Sequence, residues 1–333
     1  ERELVALVCA PAIEAVAPIS LGAEMARAQQ IRTQAGALVR GVMAGARLGK
    51  ELELERLDNT VRGITDSILR NAGALVGLQR IKANEDYLFL HSVSVCSLLV
   101  AFCRARAMAP EVIHQAGLGA LLHDIGKALV PDKLLNKPGA LTEAEFALVK
   151  RHSGDSHAML LKSPKVGPIP LDIARHYHER CDGSGYPDRL VGAQISELAQ
   201  MAAIVDVYSA ITADRVYHKG LPAAAALRQL YEWSKFHFHP QLTQEFMRCV
   251  GIYPVGTLVM LESRRLGVVI EPHPTNLLAP KVNVFFDSRN QVYIRPETLD
   301  LSRGLGFGGG DKIVGHELPA RWNVDPMRFL SLA

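Results

Sequence analysis

The chain has 333 residues, 48% hydrophobic and 21% charged, and its 37 basic and 34 acidic residues leave a net charge of +3. That length allows a sizeable core and two or three units, and the charge balance excludes a protein that tracks a nucleic-acid backbone, which needs a marked basic excess. Five dispersed cysteines with no CxxC pair point to free thiols in a reducing, cytoplasmic compartment.

The apolar opening, residues 4–21, is interrupted by Pro11, Glu14 and Pro18, which makes it a poor membrane span, and no span is expected elsewhere. Residues 1–78 are expected to form an N-terminal helical region, either a packing helix pair or a connector, and a start at Glu1 leaves room for a sensor domain upstream. Residues 79–251 read as one helix after another. Pro110-Glu111 opens an apolar helix that runs towards His123, Thr142 and Glu145 form a capping box, and Ser196 caps the helix that carries Asp206. Trp233, Phe236 and Phe238 read as core packing.

Beyond residue 251 the pattern turns to strands. One pair is expected at 255–262 and 266–271, and a second at 282–286 and 291–294 around an Asp-Ser-Arg-Asn turn. The glycine run 304–310 lacks a strand-turn-helix context, so it reads as a flexible loop and not a phosphate loop. The expected fold is mainly α: a helical bundle over 79–251 with an N-terminal helical region and a small β-rich appendage over 252–333.

The informative feature is a set of histidines and aspartates spread over the helical region: His91, His123-Asp124, His152, His178 and Asp206. A lone histidine there is more often a satisfied core residue than a ligand. The adjacent pair His123-Asp124, at the end of the apolar run 118–122, is different, because two costly polar side chains need partners when buried. A metal is such a partner, and imidazole with carboxylate suits Fe, Mn or Zn. An aspartate can bridge two ions about 3.5–4 Å apart, an arrangement that acidifies water and stabilises charge on phosphoryl oxygens. Lys127, one turn further on, could hold a phosphate.

The ordered set His91, His123-Asp124-Ile-Gly-Lys127, His152, His178-Glu179 and Asp206 resembles the HD superfamily of metal-dependent phosphohydrolases, and Asp182-Gly-Ser-Gly185-Tyr186-Pro187 resembles the loop of its HD-GYP subfamily. The likeness covers roughly residues 85–250 and implies an HD-type bundle that hydrolyses cyclic di-GMP to linear pGpG, or on to GMP, in bacterial signalling. Carried over by position, His91, His123, Asp124 and Asp206 would hold one metal, and Asp124, His152 and His178 a second, with Fe or Mn as the ions. Lys127 would meet the scissile phosphate, Arg215 a substrate phosphate or guanine, and Tyr186 and Pro187 would shape the loop over the site. The resemblance leaves room for a protein partner at Gly185-Tyr186-Pro187 and for a homodimer.

This chain departs from that family's pattern where Tyr177 replaces a histidine, Tyr87 an acidic residue and Ser209 an aspartate, so a binuclear centre is expected over a trinuclear one. Two alternatives stay open: a degenerate receptor that binds cyclic di-GMP without cutting it, and a phosphohydrolase of another nucleotide.

Overall fold

The computed structural model describes residues 19–78, 87–214, 219–273, 275–303 and 310–330. Arg215, the side chain of Tyr87 and the glycine run before Gly310 lie outside them. Two long helices come first, α1 (Leu21–Arg47) and α2 (Leu54–Leu78). They pack on each other and on α3 (Tyr87–Ala105), as a packing helix pair would. Ser20 caps α1 by accepting a hydrogen bond from the Ala23 amide. Buried Glu24 binds α1 to α2 through two hydrogen bonds from Arg70, at 2.8 and 2.9 Å.

Helix α3 is apolar on every side because it is the axis of the bundle. Its stretch Leu88–Ala105 is long and apolar enough by composition to cross a membrane, yet 72% of it is buried inside the protein, as in a core helix. Helix α4 (Pro110–Leu122) has proline at its first turn, where the missing N–H costs nothing, and runs beside α3. A 3₁₀ turn, Ile125–Leu129, and the short α5 (Asp132–Leu135) follow. The Thr142–Glu145 capping box starts α6 (Glu143–Leu161) as expected. Then come α7 (Pro168–His176), the Ser196-capped α8 (Glu197–Thr212), α9 (Ala223–Trp233) and α10 (Pro240–Val250). Phe238 is buried, but Phe236, expected in the core, is 65% exposed. It lies just beyond the end of α9, where the helical face no longer dictates its direction.

The C-terminal sheet holds β1 (Leu258–Leu261), β2 (Arg265–Glu271), β3 (Lys281–Asp287), β4 (Val292–Asp300) and β5 (Ile313–His316), antiparallel in the order β4-β3-β2-β1-β5. Strand β1 is shorter than expected, β4 is longer, and β5 was not anticipated. Alternation splits the sheet between two cores: Leu258, Met260, Leu266 and Val268 join the helical core, while Val259, Leu261, Val282 and Val284 form a second cluster. The register shifts between Val284 and Phe286, so that both Phe285 and Phe286 reach the helical side. The chain ends with two single-turn helices, α11 (Pro319–Trp322) and α12 (Met327–Leu330).

The Glu24–Arg70 pair gives the first test. Burial alone would raise the Glu24 pKa, but the Arg70 hydrogen bonds prevail and hold it below the ordinary value. Its contribution to stability is therefore complete above the ordinary glutamate pKa and is lost as pH falls through the lowered folded value. Glu24→Ala leaves Arg70 unpaired at 18% exposure, and urea denaturation at neutral pH should show a loss of about 3 kcal/mol. A loss within error of zero would show that the pair does not hold α1 to α2.

Candidate metal centre

Each site residue sits where a helix brings one polar side chain into an apolar interior. His91 comes from α3, His123 and Asp124 from the end of α4, His152 from α6, Tyr177 and His178 from just beyond α7, and Asp206 from α8. The structure brings together all six residues expected as ligands. His91, His123, Asp124 and His152 are 5% exposed or less, and Asp206 is 7% exposed.

The geometry divides into two halves that share Asp124. In the first half His91 Nε2 lies 2.9 Å from Asp206 Oδ1, and one nitrogen or oxygen from each of His91, His123 and Asp206 falls within 4.8 Å of the others. His91 Nδ1 lies 3.1 Å from Ser209 Oγ, so the serine that replaces an expected aspartate orients the ring. His123 Nδ1–H donates to the Ala120 carbonyl at 2.7 Å, which turns the Nε2 lone pair inward. That Nε2 is buried with no hydrogen-bond partner, 3.3 Å from Asp124 Oδ2 and 3.7 Å from Asp206 Oδ1. An imidazole nitrogen facing two carboxylates is satisfied by a positive charge between them, a proton or a metal ion. Backbone-fixed imidazoles of this kind are what metal sites use, so the donor set fits a divalent ion.

In the second half His152 is held the same way, its Nδ1–H on the Val149 carbonyl at 2.5 Å. Its Nε2 is 3.4 Å from Asp124 Oδ1 and 3.2 Å from His178 Nε2. Tyr177 intervenes: its hydroxyl donates to Asp124 Oδ1 at 2.7 Å and lies 2.6 Å from His152 Nε2. His176, the other histidine of that stretch, turns away to Asp172 and Asp188.

The local field favours positive charge. Burial would raise the pKa of Asp124, but His123 and Lys127 outweigh it and hold the carboxyl well below the usual range; His123 and His91 do the same for Asp206. Burial would lower the pKa of His123, yet the two carboxylates push it up to about 10. Lys127 Nζ lies 2.6 Å from Asp124 Oδ2, its side chain 20% exposed at the rim. Burial pushes the Tyr177 phenol well above its ordinary value, and the Asp124 and Asp206 charges push it further, so the hydroxyl keeps its proton.

Several residues to which the sequence reading gave no structural role support the site. Gly126 lets the turn touch α6: a Cβ there would collide with the His152 carbonyl and lie 2.6 Å from the Ser156 amide, and its own N–H bonds to Ser156 Oγ at 2.8 Å. Buried Glu179 accepts from the Asp188 and Leu190 amides, which ties down the loop after the site. Gly185 packs so closely on Glu179 and Arg180 that no Cβ fits. Tyr186 consequently lies over His178, ring centres 4.6 Å apart. From the other side, Arg47 of α1 donates to the Ala128 carbonyl at 2.8 Å and pairs with Asp132.

Residues 76–242 match the HD domain family. The chain is 45% identical over 313 residues to cyclic di-GMP phosphodiesterase PA4108 of Pseudomonas aeruginosa, covering 94% of this chain and 75% of that protein. It is 37% identical to the cyclic di-GMP phosphodiesterase response regulator RpfG of Xanthomonas campestris, covering 48% of this chain but only 42% of that one. Among solved structures, the fold resembles Bd1817, a HDG"Y"P protein from Bdellovibrio bacteriovorus, with a TM-score of 0.56 at 21% identity over 67% of this chain and 71% of that one.

Two variants test the supports. Gly126→Ala should cost about 2–3 kcal/mol in thermal or chemical unfolding, because the added methyl forces α6 from the turn. Ser209→Ala should leave the fold intact and weaken divalent-metal affinity about 10-fold or more by calorimetry, since it frees the His91 ring. Unchanged affinity would show that Ser209 does not orient the ring.

Proposed function

The chain belongs to the HD domain family, and from that premise we propose that it is a metal-dependent phosphodiesterase that hydrolyses cyclic di-GMP to linear pGpG. The observation that carries the proposal is the buried carboxylate of Asp124, with one oxygen towards the inward Nε2 of His123 and the other towards that of His152. The choice of cyclic di-GMP is supported by the relative of that activity, which matches nearly the whole chain.

We assign His91, His123, Asp124 and Asp206 to one divalent ion and Asp124, His152 and His178 to a second, with Fe or Mn as the metals. Bound there, such ions supply acidified water and neutralise charge on a phosphoryl group. Lys127 exchanges Asp124 for a substrate phosphate at the rim. Tyr186, with Lys150 Nζ 5.3 Å from its ring centre, offers a face to a guanine. Arg215, outside the described residues, keeps its proposed role at a phosphate or guanine. The assignment of 1–78, 79–251 and 252–333 as connector, catalytic unit and appendage belongs to the same proposal. So do the cytoplasmic setting, the protein partner at Gly185-Tyr186-Pro187 and the homodimer.

One observation favours a second reading, a receptor that binds the nucleotide without cutting it: the Tyr177 hydroxyl stands between Asp124 and His152. The test is hydrolysis of cyclic di-GMP by purified protein with Mn²⁺ or anaerobic Fe²⁺, followed by chromatography. We expect turnover in the wild type and loss to the uncatalysed level in Asp124→Ala. Tight binding without turnover in the wild type would establish the receptor instead, and a variant near wild-type rate would overturn the site assignment.

A further inference from the structure

The two halves of the centre are not equivalent. In the first, His123 Nε2 faces Asp124 and Asp206 at 3.3 and 3.7 Å without a hydrogen-bond partner. In the second, the atoms that an ion would bridge are already bridged by a phenol: Tyr177 Oη lies 2.7 Å from Asp124 Oδ1 and 2.6 Å from His152 Nε2. An ion would need to come within about 2.0–2.2 Å of each donor, and the hydroxyl stands within hydrogen-bond reach of both.

The tyrosine has no room to leave. It is 1% exposed, with its ring centre 4.0 Å from that of His178 and 4.6 Å from that of His123. Swinging it out would break both ring contacts and remove the donor to Asp124 Oδ1.

We propose that Tyr177 makes the metal positions unequal, with its hydroxyl plugging the second one, so that one divalent ion binds tightly at His91, His123 and Asp206 and a second binds weakly at His152 and His178. The inference rests on the metal-dependent reading above and concerns loading only. The enzyme passes from a one-metal to a two-metal state as free metal rises, and residue 177 sets the threshold.

The test uses metal alone. Metal-free full-length wild type, Tyr177→Phe and Tyr177→His are titrated with Mn²⁺, and binding is followed by calorimetry and by the magnetic-resonance signal of free and paired Mn²⁺. Wild type should take up one equivalent tightly and the second at least about 10-fold more weakly. Tyr177→Phe should close that gap by removing the plug, and Tyr177→His should close it further and give a paired-ion signal. The histidine variant keeps a polar group beside Asp124, which covers a failure of the phenylalanine variant to fold. Two equal equivalents in wild type, or a weaker second site in Tyr177→Phe, would overturn the inference, the latter by making tyrosine a ligand. Uptake of no Mn²⁺ by wild type would instead overturn the metal-dependent reading. Because no nucleotide is present, loss of the substrate assignment leaves the result standing.

Discussion

A buried carboxylate must be compensated where it stands, and Asp124, 1% exposed, is the point about which the bundle is arranged. Its two oxygens are met by Lys127 and His123 on one side and by Tyr177 and His152 on the other. Those partners come from the 3₁₀ turn, the end of α4, the residues after α7 and from α6. Asp206 on α8 faces His91 on α3 in the same way. Several core helices therefore turn charged or ionisable groups inward among apolar neighbours. These groups only make sense as a set, since any one of them alone would be an uncompensated charge or a stranded lone pair.

Such a set demands close backbone approach, and a second layer supplies it. Gly126 allows the turn to lie against α6, and Ser156 Oγ fixes the contact with a hydrogen bond. Glu179 and Gly185 do the same for the loop that carries Tyr186. The carbonyls of Ala120 and Val149, one turn back along their own helices, set the tautomers of His123 and His152. It rests on glycine where a side chain would collide, on the buried Glu179 carboxylate and on backbone acceptors at a spacing of three residues.

The pair His123-Asp124 stood out because two polar side chains close an apolar run, the rest of the proposed ligand set came only from the resemblance to a family, and the caps at Thr142 and Ser196 were legible because local chemistry alone dictates them. Tyr177 was legible as a departure but not as a plug. A tyrosine at a helix end is ordinary in sequence, and only the approach of α4 and α6 places its hydroxyl between two ligands. The sheet shows the converse limit. β4 was anticipated only to Ile294, because Arg295-Pro296-Glu297 beyond it are polar and exposed, and in β5 half-buried and exposed positions alternate over only four residues. Both belong to the sheet through backbone pairing with β3 and β1, which no composition reveals.

The segments at either end of the chain are also less separable than their sequence styles suggest. One hydrophobic core runs from Leu21 on α1 through the bundle to Leu258 and Phe285 in the sheet and Leu330 on α12. Helix α1 reaches the site's own scaffold, because Arg47 at its last turn holds the Ala128 carbonyl, next to Lys127. The far end of the same helix is anchored by Glu24 on Arg70. A rigid helix transmits displacement along its axis, so the anchor at one end and the hydrogen bond at the other act on one body. The turn that carries Lys127 is thus tied to the packed N-terminal helices as well as to the bundle that carries Asp124.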